Sequence, residues 1–288
     1  VKPTISKLEP IPVEEASNKI LLAPVKDLHF FNGIGGFAKD GREYVINTTQ
    51  AQPTPLPWVN IIANPNFGTI VSESGSSYTW FENAHEFRLS PWHNDPVSDK
   101  TGEAFYLRDE ETGRFWSPMP LPVNNGSYIT RHGFGYTTFE HSEEGIHSHV
   151  TVYVDTEASI KFITIKLRNG SGRSRKLSAT GYVEWVLGGQ RPKAAFHIVT
   201  ELEGNTGALM AKNPYNSEFN KRVTFLDVDE TVFEYTTDRT EFLGRNGTLR
   251  KPHAMTRMRL SGKTGACLDP CAAMQVPFEL ENDREHVI

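Results

Sequence analysis

Apolar and polar residues alternate most regularly in two places. Over 146–154, Ile146, Ser148, Val150, Val152 and Val154 fall on one side of an extended chain, and over 177–187, Leu177, Ala179, Gly181, Val183 and Trp185 do the same. A period of two with one apolar side is the pattern of strands that bury one face. Further β-rich runs occupy 44–46, 58–63, 69–72, 104–108, 136–141, 160–168, 198–203, 222–227, 232–236 and 256–260. Helical patterning is confined to 13–20, enough for two turns, and 216–221, enough for one. Asn-Gly, the dipeptide that best tolerates positive φ in a hairpin, recurs at Asn32-Gly33, Asn125-Gly126, Asn169-Gly170 and Asn246-Gly247. Many strands without alternating helices predict an all-β chain, a large antiparallel β-sandwich with few short helices. Residues 1–30 read as an N-terminal extension or short helix, and 31–288 as a single sandwich domain, with no repeat or linker to divide it.

Composition narrows what such a sandwich can do. The 288 residues carry 30 Lys plus Arg against 35 Asp plus Glu, a formal charge of −5, so no overall positive field favours nucleic acid as a partner. No apolar run approaches the roughly 20 residues that cross a bilayer as a helix. Two cysteines, Cys267 and Cys271, are too few for a disulfide framework and half a typical structural zinc site, which predicts a reduced, cytoplasmic chain. The chain starts at Val1 without an initiator Met or signal peptide and stops in a strand-like Arg284-Glu285-His286-Val287-Ile288. It is therefore expected to be a segment of a longer polypeptide.

Most motifs that could carry chemistry have a plainer structural reading. Asn32-Gly33-Ile34-Gly35-Gly36 lacks the strand-loop-helix context of a phosphate-binding loop and is expected to form a tight turn before Tyr44. The Pro-rich 52–57 leads straight into a strand run and is expected to be an ordered, irregular connection. His147 and His149 share one side of a strand, as two metal ligands would, but a third ligand must come from a distance, from His132 or His141; a polar, solvent-facing strand side is the plainer outcome. No Gly-x-Ser-x-Gly elbow is present. Asp95, Asp99, Glu103 and Asp109 are candidate acids, with surface solvation as the simpler account. The stretch from Ser74 to Pro122 differs from the rest: Trp80, Trp92 and Trp116 stand among Arg, Asn, Asp and His with few aliphatic neighbours. Aromatic faces stack on sugar C–H surfaces while planar polar groups bond vicinal hydroxyls, so a saccharide-facing loop fits this mixture; buried tryptophans with Asx turns would fit it as well.

Longer runs carry a family resemblance. Gly36-Phe37-Ala38-Lys39-Asp40-Gly41-Arg42-Glu43-Tyr44, Trp58-Val59-Asn60-Ile61-Ile62-Ala63-Asn64-Pro65, Trp92-His93-Asn94-Asp95-Pro96, Tyr106-Leu107-Arg108-Asp109, Tyr182-Val183-Glu184-Trp185 and Phe242-Leu243-Gly244-Arg245-Asn246-Gly247 follow one another in order. Together they resemble the N-terminal domain of the inverting disaccharide phosphorylases, glycoside hydrolase family 94. The similarity is greatest to the phosphorylase-like region of bacterial cyclic β-1,2-glucan synthases and to 1,2-β-oligoglucan phosphorylases, and it runs from about Phe30 onward.

The resemblance implies a galactose-mutarotase-like super-sandwich followed by a helical linker and an (α/α) six-fold barrel. In the family the catalytic Asp and most phosphate-binding residues lie in that barrel, so no catalytic residue and no metal ligand is assigned within this chain, and the catalytic helical barrel is expected outside it. The implied reaction uses inorganic phosphate as co-substrate and no other cofactor: phosphate attacks the anomeric carbon of a β-glucoside with inversion, giving α-glucose 1-phosphate. Implied partners are β-1,2-glucan or a related glucooligosaccharide, the chain's own C-terminal barrel and a second copy in a homodimer. The parent would sit on the cytoplasmic side, anchored in the bacterial inner membrane if it is a synthase and soluble if it is a phosphorylase. Loops of this domain approach the active site in the family, which together with the aromatic-polar stretch nominates Arg88, Trp92, Asn94 and Asp95 for substrate binding. The competing expectation is a stand-alone mutarotase-like epimerase or sugar-binding module, using His132, His147 or His149 as acid-base groups.

Overall fold

A computed structural model describes residues 5–10 and 22–288. The two-turn helix expected over 13–20 lies outside the described residues. The strands are β1 (Gly35–Phe37), β2 (Glu43–Thr49), β3 (Val59–Ala63), β4 (Phe67–Ser72), β5 (Ser77–Phe81), β6 (Glu103–Asp109), β7 (Phe115–Trp116), β8 (Ser127–Gly133) and β9 (Tyr136–Glu143). They continue as β10 (Ile146–Val154), β11 (Lys161–Asn169), β12 (Arg175–Glu184), β13 (Val199–Leu202), β14 (Leu209–Lys212), β15 (Val223–Leu226), β16 (Glu234–Asp238), β17 (Pro270–Leu280) and β18 (Glu285–Val287). Among the described residues, two short helices, α1 (Arg191–Ala194) and α2 (Arg239–Leu243), and two 3-10 turns complete the regular structure, so the fold is all-β as its alternation predicts.

Every pairing between these strands is antiparallel. A seven-stranded sheet runs β1-β2-β8-β9-β10-β11-β18 and a five-stranded sheet runs β16-β17-β12-β6-β7, flanked by the small sheets β13-β14-β15 and β3-β4-β5. The two alternating segments face each other across the core: Ile146, Val150 and Val152 from the larger sheet pack in one apolar cluster with Leu177, Ala179, Val183 and Trp185 from the smaller. Burying side chains of this size stabilises by ~1.5–3 kcal/mol each, which is why register is held where one face is apolar. The five-stranded sheet is also covered on its other face, where Tyr106 and Tyr182 join Phe242, Leu243, Ala254 and Met255 in a second cluster.

Several local expectations change on contact with the fold. None of the four Asn-Gly dipeptides closes a two-residue hairpin between paired strands. Glu144-Gly145 does so between β9 and β10, both residues at positive φ (54° and 76°), as a type I′ turn demands. Asn169-Gly170 instead ends β11 where the chain crosses to the other sheet. Residues 216–221 form turns rather than a helix, with Asn216 Oδ1 accepting the N–H groups of Glu218 and Phe219. Residues 256–260 are not a strand but follow a 3-10 turn at His253–Thr256. The 11-residue β17 escapes the alternation rule because most of its side chains are buried on both faces. The Pro-rich 52–57 is irregular, and the glycine-rich 32–36 is an Asx turn, Asn32 Oδ1 accepting from Ile34 N (3.1 Å) and Gly35 N (2.9 Å). No helix among the described residues is long and apolar enough to cross a membrane.

Candidate functional site

The aromatic-polar stretch condenses around β5. Alternation along Ser77–Phe81 places Tyr78 and Trp80 on one side of the strand, and the loop after Leu89 folds back so that Trp92 stacks on Tyr78 with ring centroids 4.8 Å apart and planes 28° apart. Tyr78 in turn lies 5.3 Å from Trp80, giving a row of three rings in the order Trp80, Tyr78, Trp92. Gly68 on β4 is opposite Trp80, and a Cβ there would come within 2.3 Å of the indole, so only glycine lets this ring lie flat on the sheet. Tyr78 is buried, whereas Trp80 and Trp92 keep part of their surface in solvent.

Arg88 flanks this row. Its backbone bridges Trp80 on one side and Gly188 on the other, and its guanidinium is near enough to Tyr78 to oppose the upward push that burial gives the phenol. The Nε–H donates to the Ala84 carbonyl at 3.3 Å. Gly188 belongs to the turn after β12, whose Leu187 carbonyl accepts from the side chains of Asn213 (3.0 Å) and Asn216 (3.4 Å). These bonds tie to Arg88 a segment bearing the exposed Phe196 and Tyr215, the latter stacked on His197 at 4.0 Å.

The base of the site is held from below by a buried carboxylate. Glu103 on β6 accepts from Ser77 Oγ (2.8 Å), Thr79 Oγ1 (2.7 Å) and Ser90 Oγ (2.5 Å), and Lys161 Nζ reaches it from β11 at 2.6 Å. Burial alone would raise this carboxyl, but the Lys161 charge and the hydrogen bonds outweigh it and hold the group below the ordinary glutamate range. Asp109 is likewise fully buried, ion-paired with Arg175 at 2.5 Å. Solvation therefore does not account for these two acids; both are structural anchors.

The four nominated residues divide between two local roles. Trp92 stacks on Tyr78, and Arg88 is near enough to act on its phenol. Asn94 is exposed and left-handed (φ 48°), and Asp95 caps its own turn, accepting from Val97 N (3.0 Å) and the Ser98 hydroxyl, bonds that lower its carboxyl pKa. Asp99 turns inward to the hydroxyls of Ser72 (2.8 Å) and Ser74. Trp116 is in the core at 1% exposure and presents no face to a ligand. Tyr78, the middle of the row, is the residue that sequence reasoning passed over; its period-two relation to Trp80 was the available signal.

The histidines sit elsewhere. His132 is held by both ring nitrogens, to the Trp58 carbonyl (2.9 Å) and the Thr137 hydroxyl (3.0 Å), and burial lowers its pKa. His141 stacks on Tyr128 at 4.0 Å and is pushed down to about 4, chiefly by burial. His147 and His149 share one side of β10 and are half-buried. Cys271 is buried in β17 and Cys267 is exposed. Among the described residues, no three His, Cys, Asp or Glu side chains converge on a metal-sized space.

Comparison with known proteins gives this arrangement its context. The model of the supersandwich domain of glycosyl hydrolase 94 matches residues 42–288. The chain is 36% identical over 258 residues to the cyclic beta-(1,2)-glucan synthase NdvB of Rhizobium meliloti (strain 1021), a match covering 88% of this chain and 9% of that protein. It is 28% identical to an N,N'-diacetylchitobiose phosphorylase of Vibrio furnissii, over 86% of this chain and 32% of the relative. It is also 28% identical to a solabiose phosphorylase of Paenibacillus borealis, over 88% of this chain and 34% of the relative. The chain thus spans about a third of the phosphorylases it matches and a tenth or less of the synthase.

Proposed function

The chain belongs to the glycosyl hydrolase 94 supersandwich family, and from that premise we propose that it is the carbohydrate-facing sandwich of a cyclic β-1,2-glucan synthase-type protein. In this reading it shapes the substrate cleft and supports assembly for inverting phosphorolysis of β-1,2-glucan to α-glucose 1-phosphate. A phosphate oxygen attacks the anomeric carbon, the glycosidic C–O bond breaks, and an acid outside this chain protonates the leaving oxygen. The choice of a β-1,2-linked glucan follows the identity of 36% to the synthase against 28% to either phosphorylase.

The observation that carries the glycan assignment is the Trp80-Tyr78-Trp92 row beside Arg88. The partly exposed indoles of Trp80 and Trp92, packed on the buried Tyr78, offer an apolar surface to the C–H face of a pyranose, and a guanidinium next to them donates to its hydroxyls. Asn94 and Asp95 contribute by setting the path of the loop and by lining its outer edge. The helical barrel and the second protomer are the proposed neighbours of this face, on the cytoplasmic side of the membrane.

Titration of β-1,2-glucooligosaccharides into the chain, followed by tryptophan fluorescence and calorimetry, tests the reading. Saturable binding is expected, weakened about tenfold by Trp92→Ala with an unchanged circular dichroism spectrum. No glucose 1-phosphate should be released by the chain alone. Undiminished binding in Trp92→Ala and Arg88→Ala would remove the glycan from this face.

A further inference from the structure

A second surface, unrelated to the aromatic row, carries its own chemistry. From Gly244 to Lys263 the sequence holds six Lys or Arg residues and no Asp or Glu, in a chain whose formal charge is −5. This segment leaves α2 and lies on the outer face of the five-stranded sheet, where β6 fastens it. The Tyr106 hydroxyl donates to the Leu249 carbonyl (2.7 Å), and the Arg108 guanidinium donates to the carbonyls of Ala254 (3.3 Å), Met255 (3.2 Å) and Arg257 (2.7 Å). Its first turn is equally constrained: a Cβ on Gly247 would come within 1.9 Å of the Leu243 carbonyl oxygen, and Gly244 is at φ 79°. Arg245 is thus held between two obligatory glycines on a preorganised loop.

Arg245, Lys251, His253, Arg257 and Lys263 line one concavity of about 810 Å³. Two acids also line it, and each is already neutralised. Asp238 is paired with Lys263 and bonded by Thr240, and Glu241 is paired with Arg257 (3.1 Å) and bonded by Ser261. Arg245 and Lys251 are exposed and, among the described residues, have no carboxylate partner. Two uncompensated cations and an exposed imidazole therefore face a space of the size that holds a small ligand.

We infer that this concavity binds the phosphate group of a small ligand, inorganic phosphate or a phosphate monoester such as a hexose phosphate, with Arg245 and Lys251 as its charged contacts. A guanidinium fork matches two phosphate oxygens, an ammonium supplies a point charge, and the His253 ring offers a further donor. The concave shape favours a compact anion over the flat acidic face of another protein.

Calorimetric titration of the chain with inorganic phosphate and with a hexose phosphate, at ionic strength fixed by chloride, tests the site, with phosphatidylglycerol vesicles as a third arm. Saturable one-to-one binding of at least one free phosphate compound is expected, about tenfold or more weaker in the double variant Arg245→Ala, Lys251→Ala. Arg42→Ala, an exposed cation on the turn between β1 and β2 that does not line the concavity, should leave it unchanged. Amide shifts on titration should centre on 245–253, which keeps the test valid if the double variant folds poorly. Absence of saturable binding, equal binding by the double variant, or binding to vesicles alone would overturn the inference.

Discussion

Strand β6 carries a buried charge on each of its faces, and the two are built differently. Glu103 points between the sheets, where it gathers three hydroxyls from the aromatic-polar segment and one ammonium from the opposite sheet. Arg108 points outward, where Glu110, two residues away, takes both Nε and Nη2 at 2.8 Å and three loop carbonyls take Nη1. Both fasten a loop that presents candidate binding chemistry. Glu103 also ties the two sheets together, whereas Arg108 closes its charge locally. The first should therefore act on global stability and the second on one loop.

Breaking the inter-sheet pair should give the largest effect. Lys161→Met leaves the Glu103 carboxylate buried at 4% exposure with hydroxyl donors alone, and an uncompensated buried charge of this kind costs about 3–5 kcal/mol. The variant's chemical-denaturation midpoint should drop accordingly, and most at neutral pH. The sign follows from the wild-type group: its lowered pKa contributes stability that is present above the ordinary glutamate value of 4.5 and is lost as pH falls through the lowered value. In the variant burial dominates instead, the carboxyl takes up its proton earlier, and the penalty shrinks in acid. A penalty independent of pH would mean that lost packing, not charge, is being measured.

His141 sets the acid limb against which that comparison must be read. Its pKa is about 4 in the folded protein against 6.5 for a free imidazole, because burial against Tyr128 opposes the charged form. The unfolded chain therefore takes the proton first. Stability is complete above pH 6.5 and declines as pH falls toward 4, by about 3 kcal/mol at pH 4. His141→Gln should flatten the stability profile over that interval while leaving the Glu103 limb below 4.5, which urea titrations at half-unit steps would resolve.

A smaller and more local loss is expected on the outer face. Arg108→Met keeps most of the side-chain volume but removes the guanidinium donor from three carbonyls and from Glu110, which retains Ser178, for about 2–3 kcal/mol. Because the clamp ends at the loop, amide hydrogen exchange should accelerate over 249–259 and hardly at all in β10 or β12. Uniform acceleration through both sheets would erase the distinction between the two anchors.

The two faces also differ in how much of them the sequence discloses. The inner face is written in alternation: Ile146 to Val154 and Leu177 to Trp185 name their own strands, because a half-buried sheet repeats every second residue. On the outer face the polar Tyr106, Arg108 and Tyr182 are nearly solvent-free, because their cover comes from distant parts of the sequence: Leu249 and residues 254–257 over the first two, Phe242 over the third. Glu103 and Asp109 mislead for the same reason, their partners Lys161 and Arg175 being invisible to local pattern. The aromatic-polar segment was legible by composition, and its family by ordered runs of residues. The row of rings was not, because it depends on how the loop after Leu89 folds back on β5.

Asn94 offers the finest division between shape and recognition at that row. It lies at φ 48°, where a side chain without a local polar group costs roughly 1 kcal/mol, so Asn94→Ala should destabilise by about that much. Asn94→Gly removes the steric cost and the amide together, leaving stability within ~0.5 kcal/mol of the parent. If Asn94 serves only to turn the chain toward Trp92, the glycine variant keeps its affinity for β-1,2-glucooligosaccharides and the alanine variant loses a little. If the amide itself meets a sugar hydroxyl, both lose affinity alike, about fivefold for one neutral hydrogen bond. Calorimetry on the pair therefore assigns to this residue either the backbone role that its φ demands or the contact role that its exposure permits.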